Sequence, residues 1–251
     1  MASVSRSELS EWLDGLLDAR RFKDYCPNGL QVEGRERIVS VMTGVTASQN
    51  LLDAAVAAGV DAVLVHHGYF WRGEEPTVTG VRRRRLQSLL SNDINLFAYH
   101  LPLDAHPQLG NNAQWAQAMA WVPDRCFGDQ DIAWLGRPAE EGSAAALCAR
   151  LSQVLNREAF LVGNAERQVR RLAWCSGGAQ SWFESAIAQG VDCFVSGEIS
   201  EQTVHLARES DVPYIAAGHH ATEKFGVQAV GRALADHFGI SVTFYDDFNP
   251  V

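Results

Sequence analysis

Three apolar stretches of the chain run out into histidine. AVLV ends in His66-His67 before Gly68, LFAY leads into His100-Leu101-Pro102-Leu103-Asp104, and YIAAG leads into His219-His220-Ala221-Thr222-Glu223. Imidazole nitrogen next to carboxylate oxygen is the donor set of a divalent transition-metal site. Two of the three exits supply the acid four residues after the histidine. At that spacing His219, at a helix start, and Glu223, one turn inside, face one another. Side chains alternate across a strand, so His66 and His67 are expected to diverge, as one core and one surface residue or as ligands to two different ions. The competing reading makes Glu223 a complement to a helix N-terminus and the histidines satisfied polar groups. Three coincident strand ends favour the metal.

His66, His67, Asp104, His219 and Glu223 make five protein ligands, too many for a closed tetrahedral zinc and too few to saturate two ions. Two divalent ions sharing Glu223 fit that number, each taking one of the paired histidines, with Asp104 on one ion and His219 on the other. Two ions and two carboxylates leave a positive site that lowers the pKa of a water and attracts phosphate. Mixed nitrogen and oxygen donors favour iron, manganese or zinc over calcium. His100 is a candidate outer-sphere residue or proton carrier, or a structural one. His220 lacks the spacing to Glu223. His106, His205 and His237 read as surface or helix residues, and Arg82 to Arg85 as a solvated helix face.

Around these residues short β-branched runs alternate with amphipathic stretches, the pattern of an α/β protein. Strands are expected near 38–42, 62–65, 95–99, 132–135, 159–162, 171–175, 193–195, 214–217 and 241–245. Helices are expected at 7–17 with Ser7 as N-cap, then near 48–58, 81–90, 113–120, 143–155, 181–188, 201–208 and 221–238. The segment ASQNLLDAAVAAGVDAVLVHHG (47–68) aligns without gaps on GAQSWFESAIAQGVDCFVSGEI (178–199) at an offset of 131. Gly59-Val60-Asp61 then matches Gly190-Val191-Asp192, and the chain reads as two related α/β halves, 1–125 and 126–251. In such sheets ligands bind at strand carboxyl ends. Glu198 falls opposite His67 in this repeat and is a candidate general acid/base.

With 251 residues, 47% of them hydrophobic, the chain has material for a large core. The net charge of −9 argues against coating nucleic acid or an anionic membrane by bulk charge. Arg6, Glu8, Glu11 and Asp14 interrupt any signal-peptide core, and no apolar run is long enough to span a bilayer. Five scattered cysteines without a CxxC pair suit a reducing compartment, so a cytoplasmic protein is expected.

GLQVEG, VLVHHG, HLPLDAHPQLGNNAQ, VSGEIS and AAGHHATEKFG resemble, in order, the motifs of the Nif-three-like proteins, called GTP cyclohydrolase I type 2 homologues in bacteria. The likeness spans nearly the whole chain. It implies two similar, intertwined α/β halves in three layers, a dinuclear metal centre between them, and a homohexameric ring. It carries the metal role onto His66, His67, Asp104, His219 and Glu223, which match in residue type. The chain resembles the short bacterial form, without an inserted middle domain. The implied activity is a metal-dependent hydrolase opening the ring of a purine nucleotide such as GTP, or a damaged one, with loss of formate. Two other readings are a metal-dependent phosphoesterase and a non-catalytic metal-binding or nucleic-acid-encircling ring, the latter disfavoured by the net charge.

Overall fold

A reciprocal cap starts the first helix. In the computed structural model, which describes residues 2–251, the Ser5 hydroxyl accepts from the Glu8 amide at 3.2 Å and the Glu8 carboxylate accepts from the Ser5 amide at 3.1 Å. This capping box satisfies two amides that the helix cannot. It begins the helix at Arg6–Leu16 with Ser5 as N-cap, two residues ahead of the Ser7 cap expected from the sequence. Leu9, Leu13 and Leu17 form its buried face.

The backbone gathers into two compact units. The first comprises the described part of Met1–Leu103 with Gly226–Phe248, the second Asp104–Phe225 with Asn249–Val251. Their boundary thus falls at Leu103/Asp104, ahead of the 125/126 connection, and the last strand returns to the first unit because Ser241–Phe244 pairs in parallel with Ser40–Thr46.

In the first unit five strands lie in the order Ser241–Phe244, Ser40–Thr46, Ala62–His67, Asn95–Ala98, Gly29–Val32, parallel except for the last. In the second, six strands run Phe160–Val162, Tyr214–Ala216, Cys193–Ser196, Leu172–Cys175, Ala133–Arg137, Val122–Phe127; neighbours pair in parallel from Tyr214–Ala216 through Cys193–Ser196 to Leu172–Cys175, and the other pairings are antiparallel. The central parallel strands are apolar and buried, as helices on the faces of a sheet require. Val122–Phe127 is a strand that periodicity does not announce. Its sequence VPDRCF carries a proline and two charges and is largely exposed, a composition tolerated at a sheet edge. The other expected elements are present with their ends moved by a few residues, the last helix running over His219–Phe238. Among the described residues no helix is long and apolar enough to cross a membrane, and all five cysteines are free thiols.

The repeat is visible in bonds as well as in letters. Strand register pairs Met42 with Val63 in the first unit and Ala173 with Phe194 in the second, each pair displaced by the same offset. Asp61 Oδ2 accepts from the amides of Val39 and Ser40 at 2.8 and 3.0 Å, and its Oδ1 from Arg35 at 2.9 Å. Asp192 Oδ2 likewise accepts from Arg170 and Arg171 amides at 3.0 and 2.9 Å, and its Oδ1 from Arg167 at 3.1 Å. Each aspartate follows a glycine with positive φ, Gly59 at 63° and Gly190 at 72°, which turns the chain out of a helix and into the next strand. Asp61→Ala strands two amides beside a largely buried position and should lower the unfolding free energy by roughly 3 kcal/mol. Asp192, with its side chain 21% exposed against 7% for Asp61, should cost less when removed. Urea titration of both variants checks this, and negligible losses at both positions would show that the aspartates do not support the strands.

Candidate metal centre

The first unit supplies three histidines. His66 is fully buried at the end of Ala62–His67, with its Nδ1 3.0 Å from the Tyr99 carbonyl oxygen. A carbonyl only accepts, so Nδ1 carries the proton and Nε2 the lone pair. His67 places its Nδ1 3.1 Å from the Thr46 hydroxyl on the adjacent strand. The two rings do not diverge as strand alternation would have them. Their centroids are 4.5 Å apart, because each ring is turned by its own anchor. His100 follows the strand Asn95–Ala98 and places its Nδ1 2.9 Å from Asp24 Oδ1. One ring nitrogen from each of His66, His67 and His100 lies within 4.8 Å of the others.

Asp24 also accepts from the Leu101 amide at 2.9 Å and from Asn28 at 3.0 Å. Burial pushes its carboxyl upward, but the His100 hydrogen bond and charge, with Asn28 and Leu101, outweigh that and hold it below the usual carboxylate range. Cys26 nearby is pushed up to about 12 by burial and then by the Asp24 charge. It stays a thiol at neutral pH, a poor metal ligand.

The second unit carries two buried carboxylates, Asp104 and Glu223. Asp104 is 6% exposed, and its Oδ1 accepts from Asn111 at 2.9 Å and from the Ser176 hydroxyl at 3.1 Å. Asn112 accepts from the Ser176 amide at 2.8 Å and so fixes that serine. Glu223, 3% exposed, brings a carboxylate oxygen within 4.8 Å of one from Asp104. Buried like charges this close favour a cation beside them. His219 opens the helix His219–Phe238 and is held on both sides, Nε2 at 3.2 Å from Glu223 Oε1 and Nδ1 at 2.7 Å from Glu198 Oε1. Gly177, at φ +66°, makes room for this arrangement, since a Cβ there would sit 2.2 Å from Glu223 Oε1.

The structure therefore groups His66 and His67 with His100 in one unit, and links Asp104, Glu223, His219 and Glu198 in the other. Glu198, expected as an acid/base, is hydrogen-bonded to His219 and to Gln180. The remaining histidines do other work. His106 accepts from the Gln108 and Leu109 amides, His205 lies on the helix Glu201–Glu209, His237 stacks on Trp12, and the His220 amide donates to the Val251 carbonyl. Arg82 pairs with Glu74 at 2.6 Å. Sequence reasoning missed Asp24, Asn111, Asn112, Ser176 and Gly177. The Asn-Asn pair of LGNNAQ and the Gly-Gly after the strand Leu172–Cys175 were the available signals.

Two α/β units, each with a cluster of histidine or carboxylate donors that could hold a metal ion, define the class of protein. The family model Duf34/NIF3 (NGG1p interacting factor 3) matches residues 4–250, and the chain belongs to that family. It is 52% identical to the GTP cyclohydrolase 1 type 2 homolog of Pseudomonas aeruginosa over 99% of each chain, and 48% identical to that of Neisseria meningitidis serogroup A over 98% of this chain and 99% of the relative. Among solved structures it is similar to protein ybgI, described as of unknown function, with a TM-score of 0.95 at 45% identity over 99% of this chain and 100% of that one.

Burial pulls the His219 imidazole down, but Glu223 and then Glu198 overcome it and raise the value from 6.5 to about 9. A folded value above the unfolded one means that these contacts stabilise the metal-free protein fully below pH 6.5, and that this contribution fades as pH rises through about 9. An ion taken up at His219 must displace that proton. Metal uptake at pH 7 should therefore release a proton, and affinity should climb with pH up to about 9. Calorimetric titration with Zn²⁺ in buffers of different ionisation enthalpy measures this, and heats independent of buffer would contradict it.

Proposed function

We propose that the chain is a dinuclear metal-dependent hydrolase that opens the ring of a purine nucleotide, GTP or a damaged relative, and releases formate. In this reading His66, His67, Asp104, His219 and Glu223 hold two divalent ions of the iron, manganese or zinc class, with Glu223 shared. The observation that carries it is the donor set, in which imidazoles with anchored Nδ1 atoms stand in one unit and two buried carboxylates with a carboxylate-backed histidine in the other. The names of relatives near half identity support the substrate class.

When bound, two such ions supply Lewis acidity and a water activated at neutral pH. The chain's own residues fix the donors. Asn111 and Ser176 set the plane of the Asp104 carboxylate, and Glu198 sets the His219 ring through its 2.7 Å hydrogen bond. A carboxylate so placed also accepts a proton when the ligand exchanges. Ring opening adds water to the electrophilic ring carbon, breaks its bond to nitrogen, and leaves a formamide whose hydrolysis frees formate.

Protein loaded with Fe²⁺, Mn²⁺ or Zn²⁺ and given GTP should release formate, and Asp104→Ala should abolish the release. Free phosphate without formate would replace ring opening by phosphoester hydrolysis, and no turnover with any of the metals would overturn the hydrolase reading. We further propose that the chain works in the cytoplasm as a homohexameric ring. A sedimentation mass of six chains is expected, and a monomer at micromolar concentration would refute the ring.

A further inference from the structure

We infer that His100 is a working member of the metal centre, presenting its Nε2 to the ions held by His66 and His67, and that Asp24 is the positioning carboxylate that fixes its ring and tautomer. This rests on the metal reading above and adds two residues to it.

Geometry carries the inference. Asp24 Oδ1 lies 2.9 Å from His100 Nδ1, and a carboxylate oxygen only accepts, so Nδ1 donates to it and Nε2 is the ring nitrogen that can face a metal. The ring is held edge-on to Trp71 at a centroid distance of 4.9 Å and tilted against Tyr25 at 5.3 Å. It stands 5.1 Å from the His66 ring and 5.8 Å from the His67 ring. Three imidazoles with their Nδ1 atoms anchored elsewhere thus gather ring nitrogens in one place. A ring needed only to fasten a loop has no reason to stand against two other imidazoles with a ring nitrogen among theirs.

The second unit repeats the device. His219 is backed by Glu198 at 2.7 Å, as His100 is backed by Asp24 at 2.9 Å. A carboxylate behind an imidazole orients the ring and makes the outward nitrogen a better donor, and removing such a partner typically costs about 10–100-fold in metal affinity. The bland account is that Asp24 merely stitches loops, since it also gathers Asn28 and the Leu101 amide.

Substitution separates the two accounts. His100→Asn places an amide nitrogen where Nδ1 stands, so it keeps the link to Asp24 while deleting Nε2. The probe is Co²⁺ alone, read by equilibrium affinity and by the visible absorption of the loaded protein, with thermal unfolding of each metal-free protein as the control on folding. H100N should unfold like the parent yet bind Co²⁺ at least about tenfold more weakly with an altered spectrum, and D24N should also lose about tenfold. If H100N binds Co²⁺ with parental affinity and spectrum, the assignment of His100 is overturned while the metal reading stands. If H100N is impaired only in unfolding, His100 is a stitch and the assignment again fails. If the parent itself takes up no Co²⁺, the metal reading falls and this inference with it.

Discussion

An imidazole has two nitrogens, and in each of the histidines gathered here one is already committed. Nδ1 of His66 faces the Tyr99 carbonyl, that of His67 the Thr46 hydroxyl, that of His100 Asp24, and that of His219 Glu198. Nε2 is the second nitrogen of each ring, and in His219 it lies 3.2 Å from Glu223 Oε1. The surrounding fold can be understood as the means of placing the anchors. Tyr99 and Thr46 stand on or beside strands parallel to the one that ends in His66 and His67, so sheet register alone puts the acceptors at the right height. Loops could not hold rings to such tolerances without help, and where a loop is used, at Asp24, it is tied down by several donors at once.

The same economy explains why two aspartates recur at Asp61 and Asp192. A parallel strand that begins after an irregular segment has amides with no partner across the sheet. One carboxylate accepts two consecutive amides and pairs with an arginine, which fixes where the strand starts and hence where it ends. A slip of one residue would send His66 and His67 to the opposite faces of the sheet. Strand-end chemistry therefore depends on a strand-start contact several residues away.

Much of this was legible in the residues. Strand runs, the glycine turns and the histidine–acid spacings are local patterns, and the repeat showed itself through Gly-Val-Asp recurring in an ungapped alignment. The ring partners were not legible. Asp24 meets His100 across 76 positions, and Ser176 meets Asp104 across 72, contacts that only tertiary folding creates. The edge strand Val122–Phe127 was hidden because its partner lies on one side only, so neither alternation nor an apolar run is required of it. The first cap was misplaced for a local reason: Ser5 and Ser7 are both serines, and only Ser5 has a glutamate three residues on.

Duplication also explains why the two units carry different donors at matching places. His66 corresponds by the repeat offset to Gly197, and a Cβ at Gly197 would meet the Gly177 carbonyl at 2.6 Å and the His219 backbone at 2.8 Å. The second unit has filled that space with main chain, so no side chain can stand where His66 stands in the first. Its donors move accordingly to the next strand exit and the helix beyond it, as His219 and Glu223, while the residue matching His67 becomes Glu198 and turns to support His219. One inherited sheet thus yields a histidine-rich end and a carboxylate-rich end. Because imidazole is neutral when it ligates and carboxylate is not, the buried negative charge of Asp104 and Glu223 belongs to the second unit, while the rings of His66 and His67 in the first are set in orientation by their anchors.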